Sequence, residues 1–143
     1  MPSPLATHHS PLLRLTITIP GPAMGAVRQT QADRWKQRPA VLAYRAWCDL
    51  ARKCAGGKVP PAECVEELRI TAYYVPPDSW SKAKRAAAIG GKMRTKPDWD
   101  NIGKAVCDAL WKQDEALGDA SVKRRWDWTA RLVLEIDYRR ESG

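Results

Sequence analysis

The stretch KPDWDNIGKAVCDALW, from Lys96 to Trp111, sets two carboxylates one residue apart, Asp98 and Asp100. Lys104 follows Asp100 by four residues and Asp108 follows Lys104 by four, the spacing that lines one face of a helix. Ile102, Ala105, Val106, Ala109 and Leu110 supply the opposing apolar face. Two chemistries suit this row. In the first, Asp98 caps the helix start and Asp100 makes an ordinary i,i+4 surface pair with Lys104. In the second, the acids hold a divalent cation, because Mg²⁺ takes carboxylate oxygens together with waters and substrate phosphates. The D-x-D spacing converges on one ion if the backbone between the acids bends. A third carboxylate then comes from the loop after the helix, where Asp114, Glu115 and Asp119 stand. Such an ion activates water and offsets charge on phosphoryl oxygens, and a nearby lysine steadies the transition state or protonates the leaving oxygen.

The remainder of the chain gives these acids a context. Its 143 residues carry a formal charge of +8, which suits a phosphate backbone, so carboxylates at a metal amid docking cations form a coherent design. At this length, with 44% apolar residues, one domain with a real core is expected, over 12–140. The opening MPSPLATHHSP lacks the basic start and apolar run of an export signal, so 1–11 is expected to be a disordered tail. No apolar run approaches the ~18 residues of a membrane span. Cys48, Cys54, Cys64 and Cys107 include no CxxC pair, and both histidines lie in the tail, so a zinc site is not indicated. These features point to reduced, structural cysteines and a cytoplasmic protein. The seven Trp and absence of Phe are unusual; packing is the expected role of most of these indoles, although Trp99, Trp111, Trp126 or Trp128 could instead meet DNA bases.

Periodicity predicts the elements that must carry the row. LLRLTITI at 12–19 alternates, with Leu13, Leu15, Ile17 and Ile19 on one face, and ends at Pro20-Gly21-Pro22. A polar loop leads to a helix from Pro39, with a stripe of Leu42, Ala46, Leu50 and Cys54 and a stop at Gly56-Gly57. A second strand near 66–75 turns Leu68, Ile70, Ala72 and Tyr74 inward. DSWSKAKRAAAIGG predicts a short basic helix capped by Asp78 or Ser79 and ended by Gly90-Gly91. After the acidic helix come strands near 120–127 and 130–138, the last facing Leu132, Leu134 and Ile136 inward. The order β-α-β-α-α-β-β makes an α+β fold, a small mixed sheet with helices packed on it.

Residues 95–122, TKPDWDNIGKAVCDALWKQDEALGDASV, resemble the RusA family of Holliday-junction resolvases. The family pattern is K/R-P-D-x-D-N-x-x-K-x-x-x-D-A-L followed by a D-D-x-x-V segment. Here it is Lys96-Pro97-Asp98-Trp99-Asp100-Asn101, then Lys104, Asp108-Ala109-Leu110 and Gly118-Asp119-Ala120-Ser121-Val122. A weaker likeness extends over about 13–138. Gly118 departs from the pattern by replacing the first of two adjacent acids.

The resemblance implies a homodimeric, metal-dependent endodeoxyribonuclease of the kind borne by phages and prophages. Such an enzyme uses Mg²⁺ or Mn²⁺ and resolves four-way junctions by paired symmetric nicks that leave 5′-phosphates, in DNA recombination and repair. It implies Asp98, Asp100 and Asp119 as metal ligands and Lys104 as the catalytic lysine. Asp108 either touches the metal or orients Lys104 and the helix, and Asn101 has a structural hydrogen-bonding role. Phosphate contacts are then expected from Arg28, Arg34, Lys36, Arg38, Lys82, Lys84, Arg85, Lys92, Arg94 and Lys96. The competing expectations are a non-catalytic nucleic-acid-binding module of the same fold, a nuclease for flaps or forks, and a basic domain that binds small molecules or a protein partner.

Overall fold

The computed structural model describes residues 11–27, 38–112 and 116–140. Four strands form the sheet: β1 (Leu13–Pro20), β2 (Val65–Tyr74), β3 (Asp119–Trp126) and β4 (Arg131–Tyr138). Helix α1 (Pro39–Ala55) follows β1, while α2 (Lys82–Ala88) and α3 (Trp99–Leu110) lie between β2 and β3. A single 3-10 turn, Ala62–Cys64, introduces β2. The spatial order is β1-β4-β2-β3, with β4 antiparallel to both its neighbours and β2 parallel to β3. The parallel pair is what makes the sheet mixed, and it requires the long connection that α2 and α3 occupy.

Alternation along each strand sorts the sheet into two faces. Ile17, Leu134, Ile70 and Val122 stand in one row across all four strands. Their neighbours Ile19, Leu132, Leu68 and Ile136 are almost wholly buried, and α1 and α3 cover this side. The opposite face is charged. There Arg69 bonds Asp137 at 2.8 Å, and Arg14 reaches the other oxygen of the same carboxylate at 2.9 Å. These two guanidiniums, Arg69 foremost, hold the Asp137 carboxyl down at about 2.

In α1 the buried stripe is Val41, Tyr44, Cys48, Ala51 and Ala55, with Trp47 beside it. This corrects the expected stripe of Leu42, Ala46, Leu50 and Cys54: Leu42 is 44% exposed, and Ala46 and Cys54 also face outward. Both stripes have helical spacing, but Tyr44 and Trp47 carry the larger apolar areas, so their side turns inward. Gly56 ends α1 in the left-handed region at φ 60°, as the Gly-Gly stop implies. Helix α2 starts later than expected, because Ser81 is its cap, accepting from the Lys84 amide at 3.2 Å in place of Asp78 or Ser79.

Beyond α2 the chain runs along the free edge of β3. Gly90 and Met93 donate to the carbonyls of Trp126 and Arg124, and Trp126 donates back to Gly91. Lys92 therefore lies opposite Arg125 in an antiparallel bridge, and residues 90–93 act as a short extra strand. This covers the second half of β3 and carries the chain straight into the acidic motif. No described helix is long and apolar enough to cross a membrane.

Candidate active site and nucleic-acid interface

Helix α3 starts where Asp98, in extended conformation, gives its carbonyl to the Ile102 amide at 3.1 Å. The Asp98 side chain makes no capping hydrogen bond, so the capping role expected of it is not what occupies its carboxylate. Asp100 sits in the first turn, where negative charge suits the helix dipole, and lies 3.5 Å from the Lys104 ammonium. Both side chains are mostly solvent-exposed, so the pair contributes only a few tenths of a kcal/mol, about 0.3–0.5. Lys104 can therefore leave Asp100 for a phosphate at little cost.

The buried side of α3 is Ile102, Ala105, Val106 and Ala109. Gly103 faces β3, where an added Cβ would stand 3.4 Å from Val122 Cγ2. That close approach places the Asp100–Lys104 side of α3 over the start of β3. A hollow of about 250 Å³ lies between them, lined by Trp99, Asp100, Gly103, Lys104, Ala120 and Ser121 among others. Asp119 directly precedes these strand residues. It pairs with Glu67 and so shares the phase of the charged face, whereas Ala120 and Val122 share the phase of the helix-covered one. Among the described residues, no group of three His, Cys, Asp or Glu side chains is gathered closely enough to hold a metal ion. Asp98 and Asp100 offer hard oxygen donors at the start of α3, whereas Asp119 does not line the hollow beside them and its strand phase turns it toward the charged face. Asp114 and Glu115 lie outside the described residues.

Asp108 has another task. Its carboxylate accepts the Tyr44 hydroxyl at 3.0 Å, joining α3 to α1. Burial first, then this bond, push the Tyr44 phenol far above its ordinary range. Arg52 of α1 donates to the Ala109 carbonyl at 2.8 Å, satisfying an orphan acceptor at the end of α3, and Trp111 Nε1 donates to Pro60 at 3.0 Å.

The entrance to α3 is held from two sides. The Arg124 guanidinium donates through Nη1 to the carbonyls of Thr95 at 2.6 Å and Pro97 at 3.2 Å. The Lys96–Pro97 peptide between them is cis. From the other side, the Ala26 amide donates to the Asn101 carbonyl at 3.1 Å. Asn101 accepts here through its main chain, a contact that does not depend on its side chain. Gly25 is pressed so close that an added Cβ would lie 2.6 Å from Asn101 Nδ2 and 3.1 Å from Pro97 Cβ.

Of the cations expected at DNA, Lys92 and Arg94 line a second hollow, of about 280 Å³, with Trp99, Lys123, Arg124 and Arg125. Lys82, Lys84 and Arg85 form the basic side of α2, with Lys84 4.2 Å over the Trp80 ring and Arg85 paired to Asp78 at 3.5 Å. Lys96 and Arg38 are exposed beside Pro97 and at the start of α1. Arg28, Arg34 and Lys36 lie outside the described residues. Sequence reasoning missed Lys123, Arg124 and Arg125. Their signal was three consecutive cations on a strand that begins at the expected ligand Asp119. Packing accounts for Trp47, Trp111 and Trp126, but Trp99 and Trp128 are more than half exposed.

The family model described as Endodeoxyribonuclease RusA matches residues 20–137, from the end of β1 almost to the end of β4. The chain belongs to the RusA endodeoxyribonuclease family. Membership implies endonucleolytic action on DNA, of the Holliday-junction-resolving kind. No curated protein matches the chain.

Proposed function

We propose that this protein is a cytoplasmic, homodimeric resolvase that cuts two opposed strands of a four-way junction with the help of Mg²⁺ or Mn²⁺. Asp98, Asp100 and Asp119 would hold the ion. The observation that carries this reading is the hollow shared by Asp100, Lys104 and the strand residues next to Asp119, bordered by a second hollow whose charged lining residues are all cations.

When bound, the ion supplies an activated water and offsets charge on the phosphoryl oxygens. The rest falls to the chain's own residues. Lys104 exchanges its weak pairing with Asp100 for the scissile phosphate and stabilises the charge that develops there, leaving a 5′-phosphate and a 3′-hydroxyl. Lys82, Lys84, Arg85, Lys92, Arg94 and Lys96, joined by Lys123 and Arg125, draw in the DNA backbone. Arg28, Arg34, Lys36 and Arg38, which precede α1 in the sequence, belong to the same set. Two sites related by a twofold axis would address two strands of like polarity, which is how a symmetric dimer recognises a junction by shape.

The test is nicking of a labelled four-way junction in Mg²⁺, Mn²⁺ or EDTA by wild type, Asp100→Asn and Lys104→Ala. Paired nicks that vanish in EDTA and fall at least about 100-fold in both variants are expected. Junction binding without nicking in either ion would make the protein a binding module instead.

A further inference from the structure

Trp99 lies between the two aspartates of the motif and leaves 59% of its surface to solvent. A large exposed indole needs a reason, since its burial is worth far more than that of most side chains. It lines both hollows: on one side Asp100 and Lys104, on the other the cations. The cationic hollow has no acid in its wall. Arg124 and Arg125 spend hydrogen bonds on backbone carbonyls there, whereas Lys92, Arg94 and Lys123 are exposed and lack an ion-pair partner among the described residues.

An anion site beside an accessible aromatic face matches one nucleotide: phosphate against the cations, base on the indole. We infer that Trp99, Lys92, Arg94 and Lys123 form a subsite for a single unstacked deoxynucleotide, immediately beside the proposed cutting site. Bases inside a continuous duplex have both faces covered by their neighbours. A branch point, gap, single strand or duplex end exposes a face for an indole to take, and a duplex has only its two ends to offer. The subsite therefore selects interrupted stacking and is indifferent to base identity, since every base offers a π-face. Its placement beside the cut rests on the resolvase reading; its affinity for unstacked DNA does not.

The experiment measures binding of a short single-stranded oligothymidylate and of a blunt linear duplex to the full chain in EDTA, by fluorescence anisotropy of labelled DNA. Trp99→Ala should weaken single-strand binding about 5- to 100-fold and leave duplex binding within about twofold. Trp99→Phe should restore most of the loss, and Lys123→Ala should weaken both ligands and flatten their salt dependence. Because Trp99 is exposed, equal melting temperatures should accompany the change. Wild-type single-strand affinity in Trp99→Ala, or equal losses for strand and duplex, overturns the subsite. The resolvase reading is judged separately, by whether Asp100→Asn still nicks a junction: loss of that reading with Trp99-dependent strand binding intact would leave the subsite standing.

Discussion

Removing the guanidinium of Arg124 should separate the folding of this protein from its catalysis. Arg124 donates through one nitrogen to two carbonyls, of Thr95 and Pro97, in the three residues that precede Asp98. Hydrogen bonds from a charged donor are worth about 1.5–3 kcal/mol net, but Thr95 is exposed and water would take over part of the bonding, so about 1–2 kcal/mol is expected for Arg124→Ala. For a chain of this size that is a fall in Tm of about 3–8 °C, well short of unfolding. The effect on rate should be larger. The segment carries the proposed ligand Asp98, and a displacement of about 1 Å at a reacting centre costs on the order of 100-fold. The assay is single-turnover nicking of a four-way junction in Mg²⁺ at saturating protein, so that weakened DNA binding does not enter, with thermal unfolding measured alongside. A rate loss of about 10- to 100-fold with a modest Tm shift is expected, and Arg124→Lys, which keeps a donor but not the fork, should recover part of it. Wild-type rate in Arg124→Ala at saturation would refute the positioning argument. So would a rate loss fully restored by raising the protein concentration, which would make Arg124 a DNA contact only.

Other perturbations probe the supports of the site and sheet. Gly25→Ala should push the Asn101 side chain aside and strain the contact with Pro97, costing about 1–3 kcal/mol in thermal or denaturant unfolding and lowering the nicking rate; unchanged stability and rate would mean the loop yields freely. Asp137, depressed in the folded protein by Arg69 and Arg14, contributes stability that is fully present above its unfolded pKa near 4 and is lost as pH falls through about 2. Melting curves from pH 6 to 2 should accordingly fall more steeply for wild type than for Asp137→Asn between pH 4 and 2, and parallel curves would remove the carboxylate from the acid response.

Strand alternation and the motif were legible along the chain because both are local. Ile17, Ile70 and Leu134 keep period two, their buried face follows from that pattern, and the D-x-D-N-x-x-K run carries its own spacing. The order of elements followed for the same reason. Choices between two equally periodic alternatives were not legible. Helix α1 has two apolar stripes, and only the fit of Tyr44 and Trp47 against the sheet and α3 selects the buried one. Spacing along α3 puts Asp108 in line with Asp100 and Lys104, yet the neighbouring helix claims it through Tyr44. The cations of β3 meet Lys92, Arg94 and Trp99 around one hollow because the parallel pairing of β2 with β3 brings that strand beneath α3 and residues 90–93 against its edge. Periodicity describes which residues share a face of one element; which face meets which neighbour is decided by side-chain volume and strand pairing across distant segments, and those exist only once the chain has folded.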